Sequence, residues 1–518
     1  TVIDWLRVQA EARPGGVAVS ADDGEKFGLW PDTWEHCWGE ERWIDRLFSA
    51  LEKNSDWLNI RPLGEVAAEQ LPLGRIYLPC GCYEEMMHWA LPPDAFSRLG
   101  EVRQELKQGE REDILRFVSG GGWRSFMGRY DEVNQMHKKM LWVSRKVHSL
   151  PEGKPKDRAL DHTWSGQCSC GYWHGLFGGI YLFHIRVANY AHLIAAEQLA
   201  DQAASEDSTW ARIERGDLDA DTNEEIILNT DRQVLVFKPS YGGALVEWDW
   251  RDRRYNLVNT MTRRQEGYHA ALRRAAEQGR LFRSGQEEIP DGVKVKECDV
   301  HTRLFYDAYR RVALLDHFLQ ADTTPEDFYQ AHYREQGDFL DQPYDAEVQA
   351  AGDEAKLIMR REATVWAGKV PLPVRVEKQI LARAASSQLQ VRYRVSNLND
   401  IPADLRFGVE FNWGIVGGDS PYGYLKADSQ RKGLGEFDGN DEITTLTVGS
   451  TLPDLAGEVQ VTTNRPANLW HFPLEAVSNS EAGYERVYQG TCTLLWWAMH
   501  LEAPRPWQVA LTVDLCDL

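Results

Sequence analysis

The sequence predicts a multidomain chain, α/β at its start and all-β at its end, and three observations carry that reading. Residues 1–80 alternate helical and strand signals, residues 81–203 are dominated by helical periodicity, and residues 225–518 hold short alternating strands between Gly, Asp and Pro turns. The 518 residues allow about two to four domains at roughly 100–200 residues each.

In the first region, Val2 to Ala12 is periodic as a helix is, and Pro14-Gly15-Gly16 breaks it. Val17-Ala18-Val19-Ser20 is a short apolar strand running into the acidic string Asp22-Asp23-Gly24-Glu25. Glu40 to Leu51 places Trp43, Ile44, Leu47, Phe48 and Leu51 at helical spacing, and Leu58-Asn59-Ile60 and Arg75-Ile76-Tyr77-Leu78 are expected as further strands. The order fits the C-terminal part of an α/β barrel. The chain opens at Thr1, without Met, in a helix already under way, so a truncated start is expected and an upstream targeting segment stays open.

In residues 81–203 the clearest helices are Glu84 to Leu91, Pro93 to Lys107, Asn134 to Val147 and Phe177 to Ala200, interrupted at Gly120-Gly121-Gly122 and Gly178-Gly179. Residues 204–224, with Ser205-Glu206-Asp207-Ser208 and Asp217-Leu218-Asp219-Ala220-Asp221, read as an acidic linker. Beyond it the strands Gln233 to Phe237, Leu245 to Trp250, Gln390 to Val395 and Leu405 to Phe411 argue for a β-sandwich in 225–518, with helical insertions at 259–281 and 324–338.

Composition excludes some partners. A net charge of -21, from 79 acidic against 58 basic side chains, offers no attractive field for nucleic acid or anionic lipid. No apolar run approaches the roughly 18 residues that span a bilayer, so neither nucleic acid nor membrane is expected as a partner, and the location is expected to be cytoplasmic. Eight Cys in this length do not make a disulfide scaffold. The pairs Cys80/Cys82 and Cys168/Cys170 leave one residue between thiols where zinc pairs usually leave about two to four, so no metal is expected and packed Cys is the simpler reading. The 20 Trp suit stacking on sugar rings, and equally suit a core.

The segment that carries chemistry is Asp22-Asp23-Gly24-Glu25. At the C-terminal mouth of a barrel strand it stands where such folds build active sites. Phe27, Trp30 and Pro31 would wall it with apolar surface, and desolvation would keep a carboxyl protonated for general acid work. The bland alternative is an acidic surface turn. Glycoside cleavage needs two carboxyl groups flanking the bond, and a partner on an earlier strand would precede Thr1.

The string Asp22-Asp23-Gly24-Glu25-Lys26-Phe27-Gly28-Leu29-Trp30-Pro31 resembles the fourth conserved region of glycoside hydrolase family 57. Tyr77-Leu78-Pro79, Tyr83-Glu84-Glu85-Met86 leading to Trp89-Ala90-Leu91-Pro92, Met136 to Leu141, Gln167-Cys168 and Tyr172-Trp173-His174-Gly175 follow in the order the family shows. Tyr255 to Arg264 and Leu315 to Phe318 resemble the sandwich of its glucanotransferase branch. The resemblance implies the end of an incomplete (β/α)₇ barrel, a helical region completing the active site, a β-sandwich, and retaining chemistry without a cofactor. It implies Asp23 as general acid/base, with Asp22 the competing assignment, and a Glu nucleophile in a region outside these residues. Where the branch has Gln-Cys-Asn-Asp, this chain has Gln167-Cys168-Ser169-Cys170, which puts a neutral thiol in place of a sugar-contacting carboxylate.

Substrate contacts are expected from Glu25, Trp30, Trp123, Cys170, Trp173 and His174; for Glu25 and Lys26 an exposed ion pair is the alternative, and for the aromatics and His174 it is packing. His137 reads as helix packing and Asp316-His317 as structural. The expected function is a retaining α-1,4-glucan enzyme on maltodextrin or starch, foremost a 4-α-glucanotransferase with α-amylase-type hydrolysis. A noncatalytic glucan-binding homologue is the alternative, and a homodimer stays open.

Overall fold

A computed structural model describes the chain except residues 31, 73, 78–82, 176–177, 284–285, 287–288, 419 and 481–482. The chain divides into two compact units, Thr1–Pro79 and Cys80–Leu518.

The first unit holds the helices Val2–Ala12, Thr33–Trp38, Trp43–Lys53 and Leu63–Glu69 and a 3₁₀ turn at Gly24–Phe27. Val2–Ala12 begins where its periodicity begins because Thr1 and Asp4 form a capping box, each side chain meeting the other residue's backbone N–H. The segments 17–20, 58–60 and 75–77 are irregular rather than strands, and Leu78 lies outside the described residues. A strand exists only where a neighbour takes its N–H and C=O groups, and among the described residues of this unit no segment pairs with them.

In the second unit the helices Glu84–Trp89, Pro93–Gln108, Trp123–Arg129, Asp131–His148, Lys154–Ser165 and Phe183–Ala204 precede the sheets. Pro92 and Pro93 set the start of the second, since a fixed φ is pre-organised for a first helical turn. Phe177, expected to open the last of them, lies outside the described residues.

The strands Ala211–Gly216, Glu225–Thr230, Gln233–Lys238, Ala244–Trp250 and Tyr255–Asn256 form one antiparallel sheet in sequence order. A larger, 14-stranded sheet wraps the rest, its long strands Gly457–Ser480 and Gly483–Leu501 paired with each other. Along Val370–Arg383 buried and exposed positions alternate, the mark of a sheet with one face on the core. Glu225–Thr230, Gln233–Lys238 and Ala244–Trp250 are instead buried throughout, because both faces are covered. Leu235, Phe237, Trp248 and Trp250 join the main core, while Val234, Val236 and Val246 meet Leu218, Tyr309 and Trp142 on the other side.

The helices are locked to that second face by charge. Glu247 and Asp249, two apart and so on the same face, meet Lys139 of Asp131–His148 at 2.8 and 2.7 Å, and Glu197 of Phe183–Ala204 meets it at 2.9 Å. Lys146 bridges Glu197 and Asp201 at 2.9 and 3.1 Å, and Arg251 pairs with Asp201. Burial pushes the Asp249 carboxyl up against the pull of Lys139, while burial is outweighed at Glu197, whose lysine partners hold its carboxyl low.

The expected linker is not a solvated tether. Residues 204–224 contain the strand Ala211–Gly216 and the buried Trp210, Leu218 and Asp219. The acidic composition concealed two apolar anchors, Trp210 and Leu218, that pin the stretch to the sheet. The helical insertions are shorter than expected, His269–Glu277 and Pro325–Tyr329.

Asp316 and His317, on Leu315–Leu319, point to opposite faces and serve separate networks. Asp316 pairs with Lys378 at 2.9 Å and accepts the Tyr344 hydroxyl at 2.6 Å. His317 lies 2.6 Å from Glu335 and 2.9 Å from Glu410. Burial alone would lower its pKa, but the two carboxylates win and raise it to about 9.

Candidate active site

In the first unit the string 22–30 turns tightly: Gly28 at φ +133° ends the 3₁₀ turn, a conformation that L side chains avoid, and the Trp38 indole donates to the Phe27 carbonyl at 2.6 Å. Asp22 is committed to Lys26 at 2.6 Å and also accepts the Asp23 N–H at 2.9 Å, which together hold its carboxyl below the usual range. Asp23 and Glu25 are exposed. Trp30 lies under the Lys26 ammonium, 5.5 Å from ring centre to Nζ. Phe27 stacks on Trp43 rather than facing solvent, so the apolar wall expected around Asp23 is turned into the unit's own helices; Pro31 lies outside the described residues.

In the second unit, Trp173 stands at the centre of a half-open aromatic group. Tyr83 stacks on it at 5.8 Å and Trp89 meets it at 5.9 Å, Tyr83 being exposed and both indoles partly so. His174 is only 1% exposed and stacks beneath Trp89 at 4.5 Å, so it supports the group from below rather than offering a face of its own. Its Nδ1 lies 3.1 Å from the Gly175 carbonyl, which makes Nδ1 the protonated nitrogen and leaves Nε2 to accept the Tyr268 hydroxyl at 3.0 Å. Burial lowers its pKa and keeps the ring neutral. Gly179 closes the loop at φ +47°, where a Cβ would stand 2.1 Å from the Trp173 carbonyl, so no larger residue fits.

Trp123 belongs to a neighbouring patch. It stacks on Phe126 and meets the edge of His137, which in turn meets Tyr172 edge-on. Cys170 is exposed on the 3₁₀ turn Ser169–Tyr172. Cys80 and Cys82, needed for any four-thiolate site, lie outside the described residues.

Two side chains unmarked by the sequence reading set the position of Trp89. Arg129 donates to the Trp89 carbonyl at 2.7 Å and to Glu266 at 2.8 Å. Glu266, 1% exposed, accepts further hydroxyls from Tyr130 at 3.0 Å and Tyr181 at 2.6 Å. A groove of about 590 Å³ opens beside this bridge, lined by Pro92, Ser125, Arg129, Arg264 and Tyr306.

A family model described as the C-terminal domain of α-amylase/4-α-glucanotransferase matches residues 217–511, and the middle domain of the same family matches 121–200. The chain belongs to the α-amylase/4-α-glucanotransferase family. This bears out the resemblance to glycoside hydrolase family 57. Family relatives include α-amylase 1 of Dictyoglomus thermophilum, 32% identical over 512 residues, covering 98% of this chain and 71% of the relative. Another is the 4-α-glucanotransferase of Thermococcus litoralis, 32% identical over 491 residues, covering 94% of this chain and 67% of that one. The crystal structure of a 4-α-glucanotransferase from Thermococcus litoralis superposes with a TM-score of 0.73 at 29% identity, over 100% of this chain and 70% of its own. The α/β-plus-sandwich fold class is therefore that of the α-amylase/4-α-glucanotransferase family.

Within that family frame, Trp89 and Tyr83 were visible only as parts of family-like strings, and Arg129 and Glu266 carried no signal. Glu266 sits 136 residues from Tyr130 and 85 from Tyr181, pairs that no local spacing brings together. No helix among the described residues is long and apolar enough to cross a membrane.

Proposed function

We propose that this protein is a retaining α-1,4-glucan-processing enzyme acting on maltodextrin or starch, foremost a 4-α-glucanotransferase with hydrolysis as its side reaction. Membership of a family whose relatives are named 4-α-glucanotransferase and α-amylase carries the proposal. Asp23 is the proposed general acid/base: it gives a proton to the departing glycosidic oxygen, then takes one from water or from an acceptor sugar hydroxyl. Asp22 is the weaker candidate because its bond to Lys26 favours the charged form, and a general acid must hold its proton. Trp173, Trp89 and Tyr83 supply the proposed sugar platform, apolar faces of the kind that pack on C–H faces of the ring. Glu25, Trp30, Trp123 and Cys170 are proposed as further contacts, with the thiol at Cys170 offering no charged acceptor for a hydroxyl.

Incubation of the complete gene product with maltoheptaose tests this. A ladder of longer and shorter oligosaccharides is the expected result. Progressive shortening with new reducing ends would overturn transfer in favour of hydrolysis, and unchanged maltoheptaose that nevertheless binds would overturn the enzyme in favour of a binding homologue.

A further inference from the structure

The acidic motif Asp217-Leu218-Asp219-Ala220-Asp221 takes no part in the chemistry proposed above. It forms the turn between the strands Ala211–Gly216 and Glu225–Thr230. There Asp217, Asp219 and Glu225 each bring a carboxylate oxygen within 4.8 Å of the other two. That spread suits oxygens shared by one hard cation with bonds of about 2.3–2.6 Å.

A second observation separates the turn from an ordinary acidic surface. Asp219 is 7% exposed and Glu225 fully buried, yet Asp219 Oδ1 and Glu225 Oε1 receive no hydrogen bond. Buried carboxylate oxygens without a donor are costly unless a cation meets them. The other oxygens are already engaged: Glu225 Oε2 accepts the N–H groups of Leu218 at 2.7 Å and Asp219 at 3.3 Å, and Asp219 Oδ2 pairs with Lys238. Lys238 also reaches Asp221 at 2.6 Å and stands 3.6 Å from Glu225 Oε1, so a single ammonium answers Asp219, Asp221 and Glu225 together. Asp217 is exposed, which leaves a path from solvent, and its oxygens fix the turn by accepting the N–H groups of Asp221 and Thr222 at 3.0 and 3.1 Å.

We propose that this turn is a calcium site, with Asp217, Asp219 and Glu225 as its carboxylate ligands. All-oxygen donors of high charge favour Ca²⁺, and a folded turn of mixed carboxylates lacks the strict octahedron that Mg²⁺ demands. The ion would fasten the strand Ala211–Gly216 to its neighbour and act on stability, away from the glycosidic bond.

The test is calcium titration of EDTA-treated, full-chain protein by calorimetry, with melting curves in calcium, magnesium and EDTA. One Ca²⁺ per chain and a melting temperature several degrees higher in calcium than in EDTA are expected. Asp217→Asn, whose exposed side chain is the least needed for packing, should weaken calcium binding at least tenfold; it loses one of its two hydrogen bonds to the turn, so in EDTA its melting should fall only slightly below the parent's while the gain on adding calcium disappears. Asp219→Asn should abolish binding. No heat at millimolar calcium, equal stabilisation by magnesium, or unchanged affinity in Asp217→Asn would each overturn the site. Activity on maltoheptaose is not the readout, so the outcome stands apart from that of the proposed reaction.

Discussion

The acidic string at Asp22–Glu25 and the carboxylates around Lys139 use one chemical group in opposite settings. In the first, the carboxylates are exposed and the neighbouring ion pair, Asp22 to Lys26, is a surface contact screened by water. In the second, Glu197, Glu247 and Asp249 surround an ammonium that is 2% exposed, far from bulk solvent. An exposed carboxylate can exchange protons with a substrate and lends the fold little. A buried one cannot reach substrate, and its loss is felt by the whole unit.

The sharpest break in that contrast comes from Asp23→Asn. Removal of a general acid/base costs roughly 10²–10⁴-fold in rate, and kcat on maltoheptaose should fall by that much with the melting temperature unmoved. A parallel loss of stability would place Asp23 among the structural carboxylates. Next in size is Lys139→Met, which leaves buried carboxylates uncompensated; breaking such a pair costs about 3–5 kcal/mol, read as a shift in denaturant midpoint. A variant as stable as the parent would show that water reaches the cluster.

The buried setting also has a pH signature. His317 has a folded pKa of about 9 against the ordinary 6.5, so its contribution is complete below pH 6.5 and is lost as pH rises through 9. The linkage is worth about 3 kcal/mol at most, and His317→Gln should flatten the alkaline limb of the stability curve. His269, lowered to about 4 by burial, works in the reverse sense: its contribution is present above pH 6.5 and lost as pH falls towards 4. The smallest effect belongs to the surface pair. Lys26→Met should leave the melting temperature where it was, and a clear drop would mean that the Asp22–Lys26 contact is less exposed than its geometry states.

Legibility in the sequence followed the same division between local and distant causes. Val2–Ala12 and the start of Pro93–Gln108 were readable because Thr1, Asp4 and Pro93 act within a turn of the helix they begin. Leu389–Asn397 was readable because its alternation faces one core. Val17 to Ser20 misled because a β-rich composition says what suits a sheet, not whether a neighbouring strand is there to pair with. The stretch 204–224 was taken for a tether because charge count hides Trp210 and Leu218. At the candidate site, Trp173 and His174 were found through family-like strings, but the burial of His174 and the Arg129–Glu266 bridge arise from contacts across the fold that no spacing encodes.

The ionic seam between the helices and the small sheet bears on how such proteins can be recombined. Lys139 and Glu197 lie in one segment, Glu247 and Asp249 in another, and the stretch between them is woven into the sheet rather than left slack. A chimera that takes its helices from one relative and its sandwich from another inherits half a charge balance. A crossover between residues 148 and 244 separates Lys139 from Glu247 and Asp249, so such chimeras should survive only when both parents carry the same four side chains.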